Sequence, residues 1–298
     1  MYVIRHSRYH HSGQVFRAQA LGVTELSQWT DVALKSVKAD ADRSAKDALL
    51  AEMSLMRLVA PHDNVVRLLG CCVDSDPYFV ILEYLPGGNL QDFLRKIGAQ
   101  RSIPLTSADL VNYGYQVAVG MNHLANSNVV HRDLAARNIL LAADSRNVKI
   151  ADFGLARDVH GFGIYEQRSE TRLPIRWMAP EFLFKGSSSS ASDVWSFGVL
   201  LWEIATLGAT PYGPIPSEAV MRAVKAGERL RRPSHCSLAF FSLLEACWQT
   251  KAEDRPPFSM LIGEMHGFLS VVDAIDMTNF REDLYQKLSS NVITDEKF

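Results

Sequence analysis

The sequence predicts an α+β fold of two lobes, in which a small β-rich lobe with one main helix precedes a larger α-helical lobe. β-prone runs occur early in the chain, at residues 32–37 and 78–84. The later residues instead show apolar side chains at helical spacing. We expect an N-lobe at 1–85, a C-lobe at 86–270 and a C-terminal tail at 271–298, together forming one domain.

The N-lobe helix is predicted from four apolar residues at helical spacing, which are Ala45, Leu49, Met53 and Met56. Ser44 followed by Asp47 resembles a helix cap with an acidic third position, and Pro61 limits the helix. The strand at 78–84 ends at Pro86-Gly87-Gly88, which we interpret as the hinge between the lobes.

Two helices and one long loop are predicted in the C-lobe. Thr106 and Asp109 can cap a helix with an apolar stripe, and residues 193–205 are apolar nearly all round. A helix of the second kind belongs at the centre of a large lobe. Residues 152–181 have no clear period, and a loop of this length is usually functional.

Composition excludes several classes of protein. The net charge of −2 argues against a nucleic-acid partner, because general nucleic-acid binders carry a basic excess. The four cysteines have no zinc-binding spacing, which favours reduced thiols in the cytosol. No apolar run approaches the roughly 20 residues that span a bilayer. We therefore expect no transmembrane segment in this chain.

Residues 131–138 combine a carboxylate that can accept a proton, arginines that can bind anions, and an amide that can bind a metal ion. Asp152-Phe153-Gly154 and Ala179-Pro180-Glu181 follow in order. This motif set resembles the catalytic half of a protein kinase, and its Ala-Ala-Arg resembles that of receptor-type tyrosine kinases.

The resemblance implies transfer of the γ-phosphoryl group of ATP with Mg²⁺. Asp133 would orient the substrate hydroxyl and accept its proton, and Asn138 and Asp152 would bind the metal. Lys35 would hold the nucleotide phosphates and pair with Glu52.

The resemblance also implies an adenine site and structural contacts. The nucleotide-binding residues would be Gly13, Val15, Ala33, Lys35, Leu82, Glu83, Leu85 and Leu140. His131, Phe153 and Met56 would stack on one another. Arg255 would form an ion pair with Glu181, and Asp193 would bond the backbone of the catalytic loop.

Tyrosine specificity is implied by Arg137, four residues after Asp133, and by Ala135, where serine/threonine kinases generally carry lysine. By resemblance, Arg137 would support the catalytic aspartate and the substrate hydroxyl. Residues 173–178 resemble the substrate platform of tyrosine kinases. These features disfavour a serine/threonine kinase.

Tyr165 matches an autophosphorylation position of receptor tyrosine kinases. A phosphate there would pair with Arg132 and Arg157 and order the loop. The alternative is an exposed loop aromatic without a regulatory role. For Tyr285 we favour packing of a terminal helix over a phosphorylation site.

The phosphate loop departs from the kinase pattern, because Arg8 and His10 stand where the first two glycines belong and only Gly13 and Val15 remain. Those glycines allow the backbone to approach phosphate. The alternative function is therefore a pseudokinase, a nucleotide-binding or scaffolding module with little turnover.

The expected partners are protein substrates that contain tyrosine, together with ATP-site inhibitors. The resemblance implies the cytosolic domain of a single-pass plasma-membrane receptor, which dimerises through regions absent from this chain.

Overall fold

The computed structural model describes residues 4–9, 15–25, 27–37, 42–99, 105–158, 173–270 and 274–277. An antiparallel sheet comes first along the chain, and a helical body follows it. The predicted α+β class with a β-rich N-lobe and a helical C-lobe is confirmed.

Within the described residues the N-lobe contains five strands and one helix, which are β1 (Ile4–Tyr9), β2 (Val15–Leu21), β3 (Trp29–Ser36), α1 (Arg43–Leu58), β4 (Leu68–Cys72) and β5 (Phe79–Glu83). The strand order is β1-β2-β3-β5-β4. In β3, Val32 and Leu34 are fully buried. Because side chains alternate across a strand, Ala33 and Lys35 share the opposite face of the sheet.

Asp42 caps α1, and the predicted cap at Ser44 is wrong. The Asp42 side chain accepts a hydrogen bond from the backbone N–H of Ala45, 2.9 Å away. Asp42 has extended backbone before the first helical residue, whereas Ser44 already lies in the first turn. The buried face of α1 consists of Leu49, Glu52, Met53, Leu55 and Met56. Glu52 is therefore a carboxylate on an otherwise apolar face.

The C-lobe contains short strands and most of the helices. Within the described residues its elements are α2 (Leu90–Ala99), α3 (Ser107–Asn126), β6 (Val129–Val130), β7 (Ile139–Leu141), β8 (Val148–Ile150), β9 (Arg157–Asp158), α4 (Pro180–Lys185), α5 (Ser190–Ala205), α6 (Ser217–Lys225), α7 (Leu238–Cys247) and α8 (Phe258–Leu269). β6 pairs with β9, and β7 pairs with β8. The two pairs flank the loop that carries residues 131–138.

The connection between the lobes runs from β5 to α2. Gly88 has a φ of +74°, a conformation that suits glycine, so the chain turns where the sequence indicates a hinge. The division of the chain after residue 85 and the separate tail from residue 271 stay predictions.

Two predicted helices of the C-lobe are confirmed. Thr106 and Asp109 form a capping box at the start of α3. In α5 every residue from 192 to 205 is buried, so this helix lies inside the lobe. Although α5 is apolar, no helix in the described part of the chain is both long and apolar enough to cross a membrane.

The predicted ion pair between Arg255 and Glu181 is also confirmed. Arg255 Nη1 lies 2.7 Å from Glu181 Oε1, and Nη2 lies 2.8 Å from Oε2. The arginine side chain is fully buried. The two parallel bonds tie the start of α4 to the segment before α8, and they fix the end of the long loop.

Candidate active site

The loop of residues 131–138 follows β6, and hydrogen bonds attach its backbone to α5. The carboxylate of Asp193 accepts hydrogen bonds from the backbone N–H groups of His131 (2.7 Å) and Arg132 (2.9 Å). Burial raises the pKa of Asp193 to about 6, although these donors oppose the shift. Arg132 has a φ of +68°. Such a conformation costs about 1–3 kcal/mol, and the bonds to Asp193 help to hold it.

Asp133 lies in this loop with two side-chain donors beside it. Arg137 donates to Asp133 Oδ1, and Asn138 Nδ2 donates to Asp133 Oδ2 over 2.8 Å. Burial raises the pKa of Asp133 above its usual range, and the charge of Arg137 offsets part of the shift. Its carboxylate is thereby oriented at both oxygens, and its side chain keeps 15% exposure.

Lys35 joins three segments of the chain. Its Nζ lies 2.7 Å from Glu52 Oε1 and 2.9 Å from Asp152 Oδ1. Burial alone would lower the pKa of Lys35, but the charges of Asp152 and Glu52 outweigh it and raise the pKa. Lys35 therefore stays protonated, and its cation is held between β3, α1 and the Asp152-Phe153-Gly154 motif.

Asp152 is the acidic residue closest to solvent in this group, with 50% of its side chain exposed. Its partial burial would raise the pKa, but the charge and hydrogen bond of Lys35 outweigh this effect and lower it. Asp152 has a φ of +61°. Its Oδ1 also accepts a bond from the N–H of Gly154 over 3.3 Å. The carboxylate is therefore ionised and fixed in direction.

The predicted stack beneath this site has close contacts. The rings of His131 and Phe153 meet edge to face, with centroids 5.3 Å apart. Phe153 and Met56 line one pocket of about 240 Å³ at the C-terminal end of α1. His131 Nε2 lies 3.1 Å from the carbonyl oxygen of Ala151. His131 therefore ties the segment of Asp152 to the catalytic loop, and Phe153 shares one buried apolar cluster with Met56 of α1.

The apolar residues assigned to the adenine site are partly exposed, as residues that line a cleft should be. They are Val15, Ala33, Leu82 and Leu140. Leu82 and Leu140 pack against a buried cluster of Val66, Leu85 and Ala151. The backbone N–H of Glu83 donates to the carbonyl of Arg67 over 3.0 Å.

Trp177, in the predicted substrate platform, lies under Arg137. The guanidinium carbon of Arg137 is 4.3 Å from the centre of the Trp177 ring. Arg176, beside it, donates to the carbonyl oxygens of Pro211, Gly213 and Ile215. The platform is thus attached to the catalytic loop on one side and to the α5–α6 connection on the other.

Sequence reasoning missed two charged residues near the site. Lys149 Nζ lies 2.8 Å from Glu83 Oε1, so a salt bridge covers the hinge residue. Glu203 of α5 is fully buried, and it accepts hydrogen bonds from Ala136 and Trp177. The signal for Glu203 was its position as one of two carboxylates, with Asp193, in an otherwise apolar helix. Lys149 had no comparable signal.

Several predicted residues lie outside the described residues. These are Gly13 and His10 in the phosphate loop, Tyr165 in the long loop and Tyr285 in the tail. For Arg8 only the backbone, in β1, is described.

Comparison with known proteins shows the family to which the chain belongs. Residues 9–265 match the model of the family described as protein tyrosine and serine/threonine kinase. The chain is 45% identical over 287 residues to the tyrosine kinase receptor Cad96Ca of Drosophila melanogaster, covering 93% of this chain and 37% of the relative.

Two further relatives are growth factor receptors. The chain is 42% identical over 270 residues to the fibroblast growth factor receptor of Strongylocentrotus purpuratus, covering 87% of this chain and 28% of the relative. It is 41% identical over 275 residues to fibroblast growth factor receptor 1 of Xenopus laevis, covering 87% of this chain and 33% of the relative. The chain therefore spans between 28% and 37% of the length of these curated relatives. With the family model matched over most of its length, the chain belongs to the protein tyrosine and serine/threonine kinase family, and it is a tyrosine kinase domain.

Proposed function

We propose that this domain transfers the γ-phosphoryl group of Mg-ATP to tyrosine in proteins, with Asp133 receiving the proton of the tyrosine hydroxyl. The observation that carries the proposal is the position of Lys35 between Glu52 and Asp152. A cation fixed by two carboxylates in a cleft suits the binding of nucleotide phosphates. Neither the family match nor the named relatives favour the alternative of a pseudokinase.

In this mechanism Asp133 orients the hydroxyl and accepts its proton as the phosphoryl group is transferred. Arg137 keeps the carboxylate in place through Oδ1, and Asn138 does so through Oδ2. Lys35 supplies positive charge to the nucleotide phosphates, and Glu52 keeps its ammonium group from turning away.

The residues proposed for the metal, Asn138 and Asp152, fit Mg²⁺. Asn138 uses its amide hydrogens on Asp133, which turns its carbonyl oxygen into the available hard ligand. The pKa of Asp152 is lowered chiefly because Lys35 outweighs its partial burial, so the carboxylate is anionic. When bound, Mg²⁺ would neutralise charge on the phosphates.

We also assign the nucleotide base to the cleft lined by Val15, Ala33, Leu82 and Leu140. Apolar side chains on both faces suit a flat aromatic ring, and the backbone groups of the hinge residues Glu83 and Leu85 are the proposed polar contacts. Gly13 completes the proposed phosphate loop. The same cleft is the proposed site of ATP-competitive inhibitors.

The proposal is tested by phosphorylation of a poly(Glu,Tyr) polymer with radiolabelled ATP. The 298-residue chain should label the polymer in the presence of Mg²⁺, and Lys35→Met should lower kcat about 10²–10³-fold, the loss typical for one fixed electrostatic contact to the reacting group. A melt by circular dichroism controls for folding. Equal labelling by a well-folded Lys35→Met protein would contradict the role of Lys35.

We expect kcat to fall as the pH is lowered through the pKa of Asp133, since the base works only when it is deprotonated. Burial raises this pKa, so the acid limb should lie above the value of about 3.9 for an exposed aspartate. Asp152, with its lowered pKa, should not contribute to this limb. Initial rates at several pH values under saturating substrate measure the profile. If kcat stays constant as the pH is lowered to the pKa of an exposed carboxyl group, Asp133 is not the base.

We further infer that phosphate on Tyr165 binds between Arg132 and Arg157. Arg132 Nε is buried and has no hydrogen-bond partner among the described residues. Burial lowers the pKa of Arg132, and the nearby charge of Arg157 adds to the shift. Two cations that destabilise one another favour an anion between them. Phosphorylation would therefore order the long loop.

During incubation with Mg-ATP, the wild-type protein should show a lag in product formation before it reaches its full rate. Tyr165→Phe should show no such acceleration, and its rate should stay at the initial low value. The reason is that the phosphate would supply nearly two negative charges to the arginine pair. Progress curves measure the lag and the final rate, and mass spectrometry detects phosphate on Tyr165. Tyr285→Phe is the matched control. A Tyr165→Phe protein that reaches the full wild-type rate would exclude the switch.

For the whole protein we propose a single-pass plasma-membrane receptor, with this domain in the cytosol and dimerisation through regions outside this chain. Its partners would be tyrosine-containing protein substrates. Support comes from the names of the relatives, which are a tyrosine kinase receptor and fibroblast growth factor receptors. Membrane fractionation of cells that express the full-length protein tests the location, and recovery in the soluble fraction alone would contradict it.

A further inference from the structure

Glu203 is the most deeply buried acidic side chain near the candidate active site. Its residue is 0% exposed, and it lies on α5. Oε2 accepts hydrogen bonds from the backbone N–H of Ala136 (3.0 Å) and the indole N–H of Trp177 (2.8 Å). Oε1 accepts one from Gln91 Nε2 over 3.2 Å. Burial raises the pKa of Glu203, and these donors counteract the shift.

The two donors to Oε2 belong to different functional segments. Ala136 lies in the catalytic loop, directly before Arg137. Trp177 lies in the substrate platform, and its ring supports the guanidinium of Arg137 at 4.3 Å. Arg137 in turn binds Asp133. One oxygen of Glu203 therefore sets both the backbone beside Arg137 and the ring beneath its side chain.

We propose that Glu203 is a positioning residue for phosphoryl transfer, which places Arg137, and through it Asp133, by holding Ala136 and Trp177 at fixed distances from α5. This inference rests on the proposed role of Asp133. Glu203 does not touch the substrate in this proposal. Through Ala136 and Trp177 it links the catalytic loop to the substrate platform.

Stability alone does not account for a carboxylate at this place. Burial of a charge costs several kcal/mol, and apolar side chains of similar volume often stabilise a core as well or better. All three donors found on Glu203 are neutral groups. Two of them share Oε2, so the position of this one oxygen fixes Ala136 and Trp177 together. Tight placement matters because a displacement of about 1 Å at a reacting group can cost about 10²-fold in rate.

The first test compares Glu203→Ala with Glu203→Gln in the 298-residue chain. Glu203→Ala should lower kcat about 10- to 100-fold, as expected for misplacement of the catalytic loop. KM for ATP should stay unchanged, because Lys35 and the adenine cleft lie on other segments. Glu203→Gln can keep its oxygen on Ala136 and Trp177 while its amide N–H donates to Gln91, whose own amide turns to present its oxygen. Its kcat should therefore lie between those of Glu203→Ala and wild type. A folded Glu203→Ala protein with wild-type kcat would overturn the proposal, and so would a glutamine variant as slow as the alanine variant.

Trp177→Phe provides a second test if Glu203→Ala does not fold. Phenylalanine keeps a smaller aromatic ring under Arg137 and removes the N–H that binds Glu203. We expect kcat to fall while the melting temperature changes little. A wild-type kcat in this variant would contradict the positioning of Arg137 through Glu203.

Thr206→Val is the matched control for damage to α5. Thr206 is fully buried at the C-terminal end of this helix, and its hydroxyl bonds only to the carbonyls of Trp202 and Glu203 among the described residues. It should lower the melting temperature without changing kcat. An equal loss of kcat in Thr206→Val would show that any weakening of α5 slows turnover, and it would overturn the specific role of Glu203.

Asp133→Asn in the same assay separates the two levels of inference. If Asp133→Asn has full activity, the proposed mechanism is wrong. If Asp133→Asn is inactive and a folded Glu203→Ala protein is fully active, only the role of Glu203 is wrong.

Discussion

Asp133→Asn is expected to lower kcat about 10²–10⁴-fold, the usual contribution of a positioned general base. Asparagine preserves the shape of the side chain but cannot accept a proton in this role. KM for ATP should change little, because Lys35 and Asp152 keep their contacts with one another. Steady-state kinetics on the poly(Glu,Tyr) polymer measures the effect.

The control for this variant is its stability and its nucleotide binding. The melting temperature should stay near that of wild type, since Asp133 keeps 15% side-chain exposure and is not part of the apolar core. Calorimetry with Mg-ATP should give the wild-type dissociation constant. A wild-type kcat in a protein that passes both controls would rule out Asp133 as the base.

Arg255→Met is expected to lower the free energy of unfolding by about 3–5 kcal/mol, the cost of breaking a buried ion pair by removal of one partner. Methionine fills part of the space but leaves Glu181 without its counter-charge. The substitution also removes the N–H groups that donate hydrogen bonds to the carbonyl oxygens of Gln249 and Ala191. Urea denaturation followed by circular dichroism measures the loss.

Arg17→Met is the matched control for the loss of an arginine. Arg17 also lies 2.7 Å from a carboxylate, that of Asp31, but the two side chains are 46% and 38% exposed. Surface pairs of this kind contribute about 0–1 kcal/mol, so the two variants should differ by several-fold in their effect. If both variants lose a similar free energy of unfolding, burial does not determine how much Arg255 contributes to stability.

Much of this fold is encoded locally, and this is why the sequence could predict it. The capping box of Thr106 and Asp109 depends on a spacing of three residues, and the structure has it at the start of α3. The buried state of α5 follows from its apolar composition. The cap of α1 was predicted wrongly because Ser44 and Asp42 are both good capping residues, and only the backbone before the helix decides between them.

The candidate site was predicted through a resemblance rather than from physical chemistry alone. The order and spacing of the three motifs identified Asp133, Asn138 and Asp152 as candidates. The proximity of Lys35, Glu52 and Asp152 depends on β3, α1 and the Asp152-Phe153-Gly154 segment meeting in space, which no local pattern encodes. The bond from Lys35 to Asp152 joins residues 117 positions apart.

The sequence by itself determined the fold class, the family resemblance and the candidate catalytic residues, because these depend on residue type and short-range spacing. Only the tertiary structure decided the partners of the buried and charged side chains. Glu203 was visible as one of two carboxylates in an otherwise apolar helix, yet its bonds to Ala136 and Trp177 span 67 and 26 residues. Lys149 reaches Glu83 across 66 residues. A buried or paired charge must find its partner in space, and that partner is set by how distant segments pack together.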